Sequence, residues 1–211
     1  MAMKIVVFGA SGKVGRLVVD KLLQKNHQVT VFIHKNNPYQ ENKNLTVIEG
    51  SIYDQKDIDK AVKGNSIVIS TLGSWNTKKK NILTSGMEII IPSMRKHNIK
   101  RIITITGADA QSKRDRINVT QLLVHFLFGV FARKILIDGE RHIQLLESSD
   151  LSWTVIRSPR MRSTGAQGSY RLNLKANKPW ESIHRINVAE AICLQVKDDK
   201  YLEQSPFVHS Y

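Results

Sequence analysis

Three glycines spaced three apart, Gly9, Gly12 and Gly15, follow the apolar run KIVVF at residues 4–8 and lead into a helical pattern beginning near Val14. Such a turn has almost no side chains to hold a ligand away. It can tighten, bring its backbone close to a pyrophosphate and let the helix pack closely on its strand. The unpaired amides and positive end of that helix then face the phosphates. Ser11 adds a hydroxyl donor, and Lys13 and Arg16 add positive charge beside the turn. Spaced glycines also serve packing alone. The strand before, the helix after and the position near the amino end favour dinucleotide binding over that reading.

The end of the second strand selects the dinucleotide. A carboxylate there binds the ribose hydroxyls of NAD, whereas a cation accommodates the 2′-phosphate of NADP. The stretch FIHKNNP offers His34 and Lys35 and no carboxylate, which predicts NADPH over NADH. Other strand ends should line the same crevice, because ligands of such sheets bind outside the carboxyl ends of the strands. They are Ser51 and Ile52 after VIEG, Thr71, Leu72 and Gly73 in STLG, and Thr106, Gly107 and Ala108 in ITITGA.

These residues need a scaffold of strands and crossover helices. Apolar runs start near residues 5, 29, 45, 66, 101 and 152, with helical periodicity over Val14 to Gln24, Gln55 to Val62, Ile82 to His97, Ile137 to Glu147 and Val188 to Val196. Six short β-rich runs alternating with helices predict an α/β fold, a single Rossmann-type, doubly wound parallel sheet flanked by helices. At 211 residues and 41% hydrophobic composition, the chain is expected to form one domain over 1–211. The substrate region is expected mainly from residues 107–136 and 157–186. Within the first, ADAQSKRDRINV is polar and loop-like, and LLVHFLFGVFA at 122–132 is expected as a buried helix in preference to a membrane contact, with a pocket cover or a subunit contact as alternatives.

Composition narrows the function classes. The lone Cys193 excludes an internal disulfide and a multi-thiolate site and suits a reducing compartment, so a cytoplasmic location is expected. The run at 122–132 is too short to cross a bilayer, and Lys4 followed by a strand-like run is unlike a signal peptide, so no membrane partner is expected. The net charge of +14 would draw phosphates, nucleic acid or an anionic substrate. Its densest clusters, TKKKN at 77–81 and RSPRMR at 157–162, lack interleaved aromatics for base stacking, which disfavours nucleic acid. TKKKN reads as a solvated loop. The histidines lack metal-ligand spacing, and Glu140 and His142 lie on a helix without a matching nucleophile, so neither a metal site nor a hydrolase triad is expected.

The chain resembles the atypical short-chain dehydrogenase/reductase group, in its NmrA-type and biliverdin IX-beta reductase (flavin reductase) branch. The resemblance runs through almost the whole chain and is carried by KIVVFGASGKVG, STLG, RIITITGA, HIQLLESSDLSWTVIRSPRM, SIHRINVAEAI and SPFVHSY. It implies that Ser11, Gly12 and Val14 touch the phosphates, that His34 replaces an arginine at the adenosine phosphate, and that Pro159, Arg160 and Met161 approach the nicotinamide half. Four features depart from the group. Residues 107–152 contain no tyrosine for the Tyr-x-x-x-Lys pair, and YQENK at 39–43 has that spacing after the second strand instead. Gly107 and Arg160 stand where the flavin reductase branch has a serine and a histidine, and Asn187 stands where the group often has aspartate.

Without that tyrosine, reduction of an alcohol or ketone that needs strong acid catalysis is disfavoured. Flavins, quinones and linear tetrapyrroles spread incoming charge over a conjugated system, and solvent can supply the proton. The expected function is therefore an NADPH-dependent reductase of a small, planar, possibly anionic acceptor. Arg160 is the candidate for stabilising the reduced acceptor, with a phosphate or surface contact as its alternative. Arg157, Arg162 and Arg171 are expected at ordinary exposed positions. A non-catalytic NADP redox sensor with a protein partner is the second expectation, and nucleic-acid binding the third.

Overall fold

The computed structural model describes residues 1–75, 77–115 and 119–211, with the backbone alone for residues 120, 121, 124 and 128. In chain order its elements are β1 (Lys4–Phe8), α1 (Lys13–Gln24), β2 (Gln28–Ile33), β3 (Leu45–Glu49), α2 (Gln55–Val62), β4 (Ile67–Ser70), α3 (Ile82–Lys96) and β5 (Arg101–Gly107). There follow α4 (Val119–Phe131), α5 (Arg133–Glu147), β6 (Ser152–Ser158), β7 (Arg160–Arg162), β8 (Tyr170–Asn173), β9 (Ser182–His184), α6 (Arg185–Leu194) and β10 (Phe207–Ser210). Eight strands form one sheet in the order β3-β2-β1-β4-β5-β6-β10-β8, and β7 pairs with β9 apart from it. Every neighbour from β3 to β10 is parallel, and β8 closes the edge antiparallel to β10. The expected Rossmann architecture is present, extended by strands the apolar runs did not announce.

Helices cover both faces, so the central strands are continuous apolar runs without alternation. Ile5 and Val7 of β1 pack with Val18 and Leu22 of α1 and Val188 and Ile192 of α6. Val6 and Phe8 pack on the other face with Ile58 of α2, Met87 and Ile90 of α3 and Ile143 of α5. The register sets Phe8 beside Phe32 and Ser70, and Ser70 beside Thr104. The turns after β1, β2 and β4 therefore emerge at one edge of the sheet, with the end of β5 close by.

Two expectations give way to the packing. The run at 122–132 lies in α4, but Leu122, Phe126, Val130 and Phe131 are between 60% and 86% exposed. It is α5 that covers the sheet, through Ile143 and Leu146, while α4 packs on α5 and is held by His125 Nε2 at 2.6 Å from Glu140 Oε1. Arg157 is not exposed but 2% accessible. Its guanidinium grips both carboxylate oxygens of Asp115, donates to the carbonyls of Ser205 and Ala110 and lies 3.7 Å from the centroid of the Phe207 ring. A buried charge with so many partners is a fastener, and it ties the segments around residues 110–115 and 205–207 to β6.

Candidate functional site

The glycine turn is shaped by its neighbours. Gly9 adopts φ of +72°, and a Cβ there would sit 2.7 Å from the Thr71 carbonyl carbon. A Cβ on Gly15 would come within 2.2 Å of the Gly9 oxygen and 2.8 Å of the Ala10 Cα. These two glycines are demanded by the protein itself, one by conformation and both by close approach. Gly12 differs. Its amide donates to the Gly9 carbonyl at 3.0 Å, and an added Cβ would meet that same oxygen at 3.1 Å and nothing nearer.

Gly12 is the N-cap of α1, with no side chain capping the helix and no acid in its first turn. By contrast, Asp54 caps α2, His184 caps α6, and Asp138 of α5 accepts from the Leu83 and Thr84 amides at the start of α3. The first amides of α1, at Lys13, Val14 and Gly15, therefore keep a positive end open at the sheet's carboxyl edge, beside exposed Ser11 and Lys13. Arg16 curls back so that its Nε donates to the Ser11 carbonyl at 3.0 Å. This arrangement suits an anion.

The other strand ends divide into supports and open surface. The Thr71 hydroxyl lies 3.0 Å from the Phe8 carbonyl and 3.1 Å from that of Gly9, so it braces the turn. Leu72 and Ile52 are half-buried against the core, and Thr106 is buried beneath Gly139 of α5. At Gly73 and Gly107, by contrast, a Cβ would meet nothing within 4 Å among the described residues. The ends of β4 and β5 are therefore open there, on the same edge of the sheet as the uncapped helix.

On the far side of the turn, His34 and Lys35 are exposed after β2, with His34 Nδ1 3.4 Å from the Gly50 carbonyl. The Ser51 amide donates to Asp57 Oδ2 at 2.8 Å, and a Cβ on Gly50 would collide with that carboxylate. Tyr39, whose spacing to Lys43 imitates the dehydrogenase pair, donates its hydroxyl to the Ala10 carbonyl at 2.7 Å, and burial raises its pKa. It is a brace on the glycine turn.

Beyond β6, Pro159 is buried, Met161 is half-buried against the core, and Arg160 is exposed at the head of β7, paired in register with Ser182 of β9. Among the described residues Arg160 forms no ion pair. Asn187 holds the preceding loop: its Oδ1 accepts from the Gly168 amide and its Nδ2 donates to the carbonyls of Ala166 and Ser169. An aspartate could not make the last two bonds.

The sequence reading passed over two acids. Asp109, just past β5, is half-buried, and burial raises its carboxyl pKa. Asp138 joins α5 to α3 and to the buried hydroxyl of Ser74. No local pattern marks either role, since both depend on which loops the sheet brings together.

A family model described as NAD(P)H-binding matches residues 9–199. The isoflavone reductase homolog IRL of Zea mays is 30% identical over 95 residues, 40% of this chain, and the chain spans 31% of that protein's length. Among solved structures, a short-chain dehydrogenase/reductase of Veillonella parvula DSM 2008 in complex with NADP superposes with a TM-score of 0.77 at 19% identity, over 100% of this chain and 95% of that one. ChuY, an anaerobillin reductase from Escherichia coli O157:H7, superposes with a TM-score of 0.77 at 16% identity, over 98% and 97%. At such identities these two likenesses are likenesses of fold.

Proposed function

This chain belongs to the NAD(P)H-binding family, in the atypical short-chain dehydrogenase/reductase group, and we propose that it is an NADPH-dependent reductase of a planar conjugated acceptor such as a flavin, quinone or linear tetrapyrrole. The observation that carries the proposal is the uncapped amino end of α1 above a glycine cradle, with open space at Gly73 and Gly107. The Lys13, Val14 and Gly15 amides and the Ser11 hydroxyl hold the pyrophosphate. Exposed His34 and Lys35, in a stretch FIHKNNP that has no acidic residue of its own, receive the adenosine 2′-phosphate. When bound, the nicotinamide supplies the hydride. The chain's part is to hold donor and acceptor face to face and exclude water from between them.

Residues 107–152 contain no tyrosine to protonate an alkoxide, so the acceptor is one whose reduced form delocalises its charge. Arg160, exposed and without an ion-pair partner among the described residues, is placed by this reading at the acceptor, where a cation stabilises developing negative charge. The substrate side is assigned to residues 107–136 and 157–186. ChuY, described as an anaerobillin reductase, shares this fold, which is compatible with a tetrapyrrole-like acceptor.

Titration calorimetry should show NADPH binding more tightly than NADH, and NADPH oxidation should then depend on an acceptor from a panel of FMN, menadione and biliverdin. Arg160→Met should lower kcat on the order of tenfold, the scale of one lost charge-assisted contact, and leave NADPH affinity unchanged. Tight cofactor binding without turnover on any acceptor would overturn the reductase and leave a redox sensor. Equal affinity for the two cofactors would remove the NADPH preference.

A further inference from the structure

Within the segment assigned to the substrate side, α4 carries the most unusual surface on the molecule, and it turns that surface away from the sheet. Val119, Leu122, Leu123, Phe126, Leu127 and Val130 of α4 follow the i, i+3, i+4, i+7 spacing that puts side chains on one helical face. In a soluble domain that stripe should face the core. Here it faces outward, each member between 45% and 84% exposed. The helix contains no Asp, Glu, Lys or Arg. A contiguous apolar surface of this kind marks something that covers it.

Charge identifies the cover. Exposed Lys113 precedes the helix and exposed Arg133 and Lys134 follow it, while Arg114 is turned to the Glu203 carbonyl and the Trp153 ring. The carboxylates on the flanking segments are engaged inward or half-buried: Asp115 on Arg157, Glu140 on His125, Glu147 on the Ser112 hydroxyl, Asp138 on Ser74 and the start of α3, and Asp109 half-buried past β5. Both ends of the apolar stripe therefore carry uncompensated positive charge, on a chain of net charge +14. A second copy suits this poorly, because pairing α4 with α4 in either direction sets cations against cations. A bilayer span is also excluded: the 13 residues of α4 extend about 20 Å against a hydrocarbon core of about 30 Å, and among the described residues no helix is long and apolar enough to cross. An anionic lipid surface satisfies both features, taking apolar side chains at the headgroup–acyl boundary and cations at the phosphates.

We propose that α4 is an interfacial anchor that lies in the plane of an anionic phospholipid bilayer, with its apolar stripe sunk below the headgroups and Lys113, Arg133 and Lys134 on lipid phosphates. This replaces the sequence expectation of no membrane partner with a surface contact. It does not depend on the cofactor reading of the glycine turn, and it narrows the part of residues 107–136 left to the substrate.

The test is flotation of the full chain with phosphatidylcholine vesicles and with phosphatidylcholine–phosphatidylglycerol vesicles, without cofactor. The protein should float with the anionic vesicles and stay behind with the neutral ones. The triple variant Leu123→Ser/Phe126→Ser/Val130→Ser should lose at least about tenfold in partitioning. Because these side chains are outside the core, circular dichroism and thermal melting should not change. Arg133→Gln/Lys134→Gln should lose about fivefold per cation, on the anionic vesicles only. Absence of flotation, or flotation undiminished in the triple variant, would overturn the proposal. So would a dimer in sedimentation velocity that the triple variant abolishes, since the stripe would then be covered by a second copy.

Discussion

At the scale of single residues, the two kinds of glycine in the turn can be separated by experiment. Gly15 has no room for a methyl group, because its Cβ would lie 2.2 Å from the Gly9 oxygen. Gly15→Ala should therefore cost about 1–3 kcal/mol of stability, the usual range for overpacking, as well as cofactor binding. Gly12→Ala should lower the urea midpoint less than Gly15→Ala, since its Cβ meets only the Gly9 oxygen, at 3.1 Å, yet it should weaken NADPH in calorimetry by placing a methyl where the phosphates approach. Unchanged NADPH affinity in a folded Gly12→Ala protein would remove the phosphates from that turn. His142 carries a second prediction. It is fully buried on α5, neither ring nitrogen has a hydrogen-bond partner among the described residues, and burial lowers its pKa from 6.5 to about 4. Between those values the unfolded chain binds the proton and the folded chain does not, so the His142 contribution is complete above the unfolded pKa and lost as pH falls toward the folded one. The loss across that window is about 3 kcal/mol. Urea denaturation at stepped pH should show this acid limb in the native protein and a flatter one in His142→Leu.

At the scale of elements, the helices are joined by side chains that reach across them. Asp138 is the clearest case: 2% exposed, it accepts from the Leu83 and Thr84 amides at the start of α3 and from the hydroxyl of Ser74 after β4. Asp138→Ala would leave those donors buried without a partner and α3 without its cap, at a cost of about 3 kcal/mol. A urea midpoint within experimental error of the native one would show that water replaces the carboxylate. Such cross-links also mark where the residues stop announcing the structure. β1 to β6 and five of the helices are legible because each has an apolar period of its own, and the glycine turn is legible because strand, turn and helix are consecutive. β7, β8, β9 and β10 have three or four residues each and exist through distant partners, as when Phe207 meets Arg157 in register. The bracing roles of Tyr39 on Ala10 and Asp57 on Ser51 are equally invisible along the chain. In α4 the apolar period correctly indicates a helix, but the same period suits a core face and a solvent face alike. Only the presence of α5 on the sheet decides between them.

At the scale of the whole molecule, the positive charge has a kinetic consequence. Several acids are neutralised locally: Asp150 by Arg95 and Lys100, and Asp59 by Lys96, which with Ser93 holds its pKa down to about 2. The excess of cations is spread over the surface, and a field of that origin reaches beyond any single contact. It speeds the arrival of anions and is screened by salt, whose Debye length shrinks from about 30 Å at 0.01 M to about 3 Å at 1 M. For the proposed reductase, kcat/KM measured at saturating NADPH should fall on the order of tenfold across that range with FMN, which is anionic. With menadione, which carries no charge, it should change little. The comparison separates steering from the state of the site, because salt that damaged the site or displaced NADPH would slow both acceptors together. Parallel losses would mean that the +14 charge plays no part in substrate capture. Loss with FMN alone would show that the field of the folded chain, and not only Arg160, selects anionic acceptors.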